Sequence, residues 1–154
     1  MIRELREADV PEAAGLLVRS WARSYSDIVA PDEHPDADGQ ARHLRTPGAA
    51  GWVFEQGGAI AAVALVLGHG SGDPELSVLH VDPPAQGAGV GGRLHDAVLE
   101  SLRSDGTGRC HLFVFEANEQ ARAFYAARGW TEAEAREIPA RCGSAPVMRL
   151  DRVL

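Results

Sequence analysis

The sequence predicts an α/β (α+β) protein with a mixed central sheet of about seven strands flanked by about four helices. Three observations predict it. Short apolar or alternating runs of strand length recur from end to end. Between them lie stretches whose apolar residues repeat every three or four positions, as on one face of a helix. The order, strand-helix-(helix)-strand-strand-strand-helix-strand-helix-strand-strand, combines hairpin and crossover connections, so the sheet is mixed. The 154 residues fit a single domain spanning 1–154, without repeats and large enough to bury a core without staples.

Residues 1–6 alternate as a half-buried strand does. Asp9, Pro11 and Glu12 read as a helix start, with Glu12 closing a capping box, and Ala14, Leu17, Val18 and Trp21 give that helix an apolar face. Residues 26–35 are a loop, and a short helix is expected over 38–44. Residues 52–55 form a strand, Gln56-Gly57-Gly58 a tight turn, and 59–67 a strand apolar nearly throughout, hence buried on both faces. Residues 75–81 are the next strand, stopped by Asp82-Pro83-Pro84. A helix is expected over 93–103 with Leu94, Val98, Leu99 and Leu102 inward, then a strand over 110–115. Asn118 caps a further helix that closes at Gly129, and two strands forming a hairpin complete the chain.

Composition excludes several functions. A formal net charge of -7 disfavours nucleic-acid and anionic-membrane partners. Every basic residue other than histidine is Arg, so a Lys Schiff base and a Walker phosphate lysine are ruled out. Cys110 and Cys142 form no CxxC pair, and Cys110 lies in an apolar run that reads as core. The six histidines show no zinc-ligand spacing, so no metal is expected. Residues 1–8 carry no apolar leader and no run is long enough for a membrane span, which reads as cytoplasmic.

The chemistry concentrates in Gln86-Gly87-Ala88-Gly89-Val90-Gly91-Gly92, between a strand and a helix. Glycines allow positive φ and close approach, and a helix N-terminus offers unpaired N–H groups, so the segment suits a phosphate or pyrophosphate. Gly87, Gly89 and Gly92 also satisfy the dinucleotide spacing G-x-G-x-x-G, with Glu116 as a ribose-binding acid, which would suit a nicotinamide-dependent oxidoreductase. Against it, five residues separate the strand end from Gly87, and the preceding strands lack alternating helices.

The turn, read as Gln86-x-x-Gly89-x-Gly91 behind Val81-Asp82-Pro83, resembles the acetyl-CoA signature of the GNAT family of N-acetyltransferases. Asn118, the Phe124-Tyr125 pair and Gly129-Trp130 match a second landmark of that family, and Ser20-Trp21 and Tyr25 resemble a segment of its bacterial members. The resemblance implies the acyl-CoA N-acyltransferase fold and transfer of an acetyl group from acetyl-CoA to a primary amine. It implies that backbone groups of Leu79, His80 and Val81 line the pantetheine arm, that the Val81 N–H polarises the thioester, that residues 86–92 hold the pyrophosphate, and that Asn118 contacts the arm. Tyr125 takes the place of the general acid; its alternative is a packed residue with its hydroxyl on a backbone group. Glu75 takes that of the base, acting through water, with a solvated strand-end carboxylate as the alternative. His80 is the competing base, its ring expected toward the outer face. Trp21 and Tyr25 line the acceptor pocket, or Trp21 packs in the core. The acceptor, a small molecule or peptide amine, is open; the acidic surface favours a cationic one, and a homodimer is common in the family. A CoA-binding sensor without catalysis is the rival within the family.

Overall fold

The computed structural model describes all residues, 1–154. Its elements in chain order are β1 (Ile2–Glu4), α1 (Val10–Tyr25), α2 (Ala37–Leu44), β2 (Ala50–Gln56), β3 (Ala59–Leu67), β4 (Glu75–Val81), α3 (Val90–Ser104), β5 (Arg109–Phe115), α4 (Glu119–Ala126), β6 (Thr131–Ala133) and β7 (Val147–Val153). Seven strands form one sheet in the order β1-β2-β3-β4-β5-β7-β6. All neighbours are antiparallel except β4 and β5, which run parallel.

The sheet has a core on each face. Ala62, Ala64 and Val66 of β3 pack with Leu94, Val98, Leu99 and Leu102 of α3. Val63 and Leu65 point the other way, against Ala13, Leu16 and Leu17 of α1. This two-sided burial explains the unbroken apolar run of β3. The β2–β3 turn places Gly57 at φ 59 and Gly58 at φ 77, left-handed at both central positions as a type I′ hairpin requires.

The start of α1 differs from the sequence expectation. Asp9 makes no capping bond to the helix. Its carboxylate takes the Arg6 N–H at 2.8 Å and both terminal nitrogens of Arg3, which hold its pKa down at about 2. Glu12 accepts the backbone N–H of Ile60 in β3 at 2.9 Å instead of closing a box. A partly buried strand donor outcompetes an exposed cap. The buried face of α1 includes Ser20, while Trp21 is half-buried. Helix α3 begins at Val90, three residues before the expected Arg93, so Gly91 and Gly92 belong to its first turn.

Helix α4 ends as expected. Gly129 has φ 86, its N–H donates to Ala126 O at 3.3 Å, and the Trp130 N–H donates to Tyr125 O at 3.1 Å. This pair of bonds turns the chain and buries Trp130, whose indole N–H donates to Nε2 of buried His95 at 2.9 Å. A Cβ on Gly129 would lie 3.3 Å from the Arg152 guanidinium, in a left-handed conformation. Gly129→Ala is therefore expected to destabilise the fold by about 1–2 kcal/mol. A urea-unfolding midpoint equal to that of the unsubstituted protein would contradict this account of the α4 end.

Candidate active site

Strands β4 and β5 separate almost at once. Their only register pair is Glu75 with His111, whereas β5 pairs with β7 over seven positions. A bulge in β4 lets Leu65 face Val78 and Val66 face Leu76, leaving Ser77 extra. A bulge bends its strand, here at the point where the sheet opens. Beyond it, Asp82 N–H donates to Ala61 O at 2.8 Å. By the alternation of an antiparallel ladder, the His80 backbone also faces β3, and Leu79 and Val81 turn theirs into the gap. The Val81 carbonyl is met there by Gln86 Nε2 at 3.1 Å. His80 therefore reaches the gap through its ring and not, as the resemblance implied, through its backbone.

The glycine turn closes one end of the gap. Gly87 and Gly89 sit at φ 85 and 78, and a Cβ on either would meet nothing within 4 Å. None of the N–H groups of residues 87–92 has a hydrogen-bond partner in the protein. Six orphan donors at the N-terminus of α3 form a concave anion seat. Arg128 strengthens it. Its guanidinium stacks on Phe124 at 3.8 Å, lies 2.5 Å from where a Gly92 Cβ would be, and has no carboxylate partner. A cation near the positive end of a helix is unfavourable unless an anion lies between. The cleft here has a volume of about 590 Å³, and no Asp or Glu lines it, in a chain of net charge -7.

A second cleft of about 490 Å³ lies across β4, between α1, α2 and β5. Trp21, Tyr25 and Phe115 form its edge-to-face aromatic wall, with centroids 4.8, 5.0 and 6.2 Å apart. The two clefts share Tyr25, Leu79, His80, Ala121 and Tyr125.

The expected outer face for His80 does not exist, because helices cover both sides of the sheet. Its ring points at α1, with Nδ1 2.7 Å from Ser20 Oγ and Nε2 3.5 Å from the Tyr25 hydroxyl. Burial lowers its pKa to about 4 and raises that of Tyr25 to about 12. Burial, with Tyr25 alongside, raises Tyr125 further still. The Tyr125 hydroxyl makes no hydrogen bond to the protein; the ring packs against Trp130 at 5.6 Å, and the residue lines both clefts. The alternative of a hydroxyl held by a backbone group is thus not what the chain does. Asn118 caps α4, its Oδ1 accepting the Ala121 N–H at 3.1 Å, and lines the first cleft. Glu75, at the start of β4, lines the second cleft with both carboxylate oxygens held by Arg141. Leu79 is four residues further along β4, roughly 13 Å.

The profile of the acetyltransferase (GNAT) family matches residues 16–130, from α1 through the end of α4. The chain belongs to this family. Among curated GNAT relatives, the mycothiol acetyltransferase of Stackebrandtia nassauensis is 33% identical over 153 aligned residues, covering 85% of this chain and 50% of its own length. The chain thus spans about half the length of that relative. An uncharacterized N-acetyltransferase of Mycobacterium tuberculosis H37Rv is 28% identical over 129 residues, 79% of this chain and 83% of its own. Among solved structures, the PaiA N-acetyltransferase of Thermoplasma acidophilum in complex with coenzyme A superposes with a TM-score of 0.80 at 15% identity, over 100% of this chain and 98% of that one. The ribosomal-protein-S18-alanine N-acetyltransferase of Escherichia coli also gives 0.80, at 22% identity over 99% and 92%. These structures share the fold. The dinucleotide spacing is incidental in a GNAT chain, and Glu116 lines neither cleft.

Sequence reasoning named Ser20 without a role and missed Gln40, Arg42, Arg128 and Arg141. Ser20 follows Leu16 and Leu17 at helical spacing and was legible as inward-facing. Arg128 and Arg141 meet the clefts through tertiary packing, which leaves no local signal.

The low pKa of His80 has a stability consequence. Below pH 6.5 the unfolded chain binds a proton at this imidazole that the folded chain refuses until about pH 4. Stability attributable to His80 is complete above 6.5 and is lost as pH falls through that window, by as much as about 3 kcal/mol. His95 and His43, also lowered by burial, add to the same trend. Unfolding free energies measured between pH 7 and 5 should fall less steeply in His80→Gln than in the parent; equal slopes would show that the imidazole is not buried as described.

Proposed function

We propose that the chain is an acetyl-CoA-dependent N-acetyltransferase that moves an acetyl group to a primary amine by direct attack in a ternary complex. The observation that carries this reading is the meeting of two unlike clefts at five shared residues, Tyr25, Leu79, His80, Ala121 and Tyr125. One cleft is free of acids and ends in six orphan N–H donors. The other is aromatic. Holding two reactants side by side removes much of the entropic barrier to their reaction. A cysteine acyl-enzyme would need a thiol at the junction. Cys110 is in the core with its thiol pushed up to about 12, and Cys142, also raised by burial, lines only the second cleft.

The geometry supports the following roles. The N–H groups of residues 87–92, with Arg128, hold the pyrophosphate of acetyl-CoA, whose thioester supplies the activated acetyl group. Backbone groups of Leu79 and Val81 receive the pantetheine arm, as does the Asn118 amide nitrogen, its oxygen being spent on the helix cap. The Val81 N–H polarises the thioester carbonyl, as an oxyanion site does. Transfer forms an N–C bond and breaks a C–S bond. Tyr125 protonates the departing sulfur; its raised pKa keeps the hydroxyl protonated at neutral pH, the state donation requires. Trp21 and Tyr25 flank the amine. Glu75 accepts its proton only through water, given the distance along β4. A specific observation favours His80 as the nearer base: its ring stands at the junction, and with Nδ1–H donating to Ser20 Oγ the Nε2 lone pair is turned to Tyr25 and the clefts.

Two measurements test this. Acetyl-CoA at about a hundred times its dissociation constant should add roughly 2.7 kcal/mol of stability, visible as a thermal shift, and NAD should add none. A shift with NAD alone would overturn the reading. Stabilisation by acetyl-CoA without turnover of any amine would support the non-catalytic CoA-binding alternative. Tyr125→Phe should lower kcat by about 10²–10⁴-fold while acetyl-CoA affinity holds. Unchanged kcat at saturating acceptor would remove Tyr125 from the acid role.

A further inference from the structure

The second cleft has a local charge opposite to that of the whole chain, and on the acyl-transfer reading this narrows the acceptor. Its lining includes Arg42, His43, Glu75, His80 and Arg141 as titratable or charged side chains apart from Tyr25, Tyr125 and Cys142. Glu75 spends both oxygens on Arg141, so that pair is neutral. His43 sits 2.7 Å from Ser77 Oγ and, like His80, is kept neutral by burial. What remains is the exposed guanidinium of Arg42, which has no acidic partner.

Two residues earlier on α2, Gln40 supplies an independent observation. The residue is 4% exposed and lines the same cleft, yet its side-chain Nε2 has no hydrogen-bond partner. A buried amide donor without an acceptor is costly, and a bound oxygen would satisfy it. Arg42 and Gln40 thus bring a cation and an unused amide to the cleft from α2, while Trp21, Tyr25 and Phe115 form its apolar wall.

We propose that the acceptor is a small zwitterion of the amino-acid type, a primary amine with a carboxylate and an apolar side chain. The carboxylate pairs with Arg42 and Gln40, the side chain lies on the aromatic wall, and the amine reaches the junction of Tyr25, His80 and Tyr125. A polyamine or aminoglycoside fits badly. Each extra ammonium group would be desolvated beside Arg42, and the cleft's one carboxylate is already paired. The inference reverses the preference for cationic acceptors that the net charge suggests: long-range steering follows the whole surface, but recognition follows the groups in contact.

The test is a kinetic comparison with acetyl-CoA of phenylalanine and leucine, their carboxamides, and spermidine. The carboxamides carry the less basic amine and would be the faster acceptors if the carboxylate were not recognised. We expect kcat/KM for the amino acids to exceed that for the carboxamides and for spermidine by about tenfold or more. In Arg42→Glu that ratio should fall to about one or below, with the KM for acetyl-CoA unchanged, and Gln40→Ala should raise the KM for the amino acid alone. Carboxamides or spermidine used as well as the amino acids would overturn the proposal. So would a ratio that survives in Arg42→Glu, or no turnover of either amino acid by protein that acetyl-CoA stabilises. These outcomes leave the acetyltransferase reading standing; absence of stabilisation by acetyl-CoA would remove that reading and this inference together.

Discussion

The rest of the site depends on one break in hydrogen bonding, the parting of β4 from β5 after a single register pair. A strand in the middle of a sheet ordinarily satisfies its backbone on both sides, and a buried peptide group left unpaired is costly. Here β4 keeps its ladder with β3 while Leu79 and Val81 face an open gap. The fold tolerates this because β3 is buried on both faces and each half of the sheet is braced separately, by β1 to β3 on one side and β7 with β6 on the other. The unpaired groups suit a ligand with its own amides, and the bulge at Ser77 lies where β4 leaves β5.

Electrostatics then sorts the two sides of the gap. The chain is acidic overall, but its carboxylates stay out of the first cleft, and its cations there are guanidiniums. Arg128 is anchored by a carbonyl and by the face of Phe124 rather than by a carboxylate, so its charge remains available to an anion. On the other side, the Glu75–Arg141 pair neutralises itself. Between the clefts the groups at the junction are neutral at pH 7: burial depresses the His80 pKa and raises those of both tyrosines. A neutral imidazole can accept a proton and a protonated phenol can give one, which are the states the proposed reaction uses.

Much of this was legible in the sequence. The alternation and helical periodicity located the first five strands and all four helices, because each element buries a face and burial leaves a period, and the last two strands were anticipated only as a pair after Trp130. The spacing of Gln86, Gly89 and Gly91, and of Asn118, Phe124, Tyr125 and Gly129, marked the turn and the helix around the gap, since glycine and capping residues answer local backbone demands. The errors were also local. Glu12 fits a capping box by spacing, but tertiary contact gave it the Ile60 N–H. His80 was set apart from Leu79 and Val81 by the strand period, and that was right; calling its side outer was not, because one strand's period cannot say that α1 covers it.

The sequence by itself determined the order of the elements, their apolar faces, and the glycine turn at the start of α3, since these follow from steric and hydrogen-bonding rules within a few residues. Only the tertiary structure decided that β4 and β5 part, that Ser20 holds His80, that Arg128 and Arg141 come to the clefts, and that Gln40 is buried without a partner. The pairs among those features lie about 36 to 66 positions apart, and no local pattern encodes the charge or the partner that a side chain meets across such a distance.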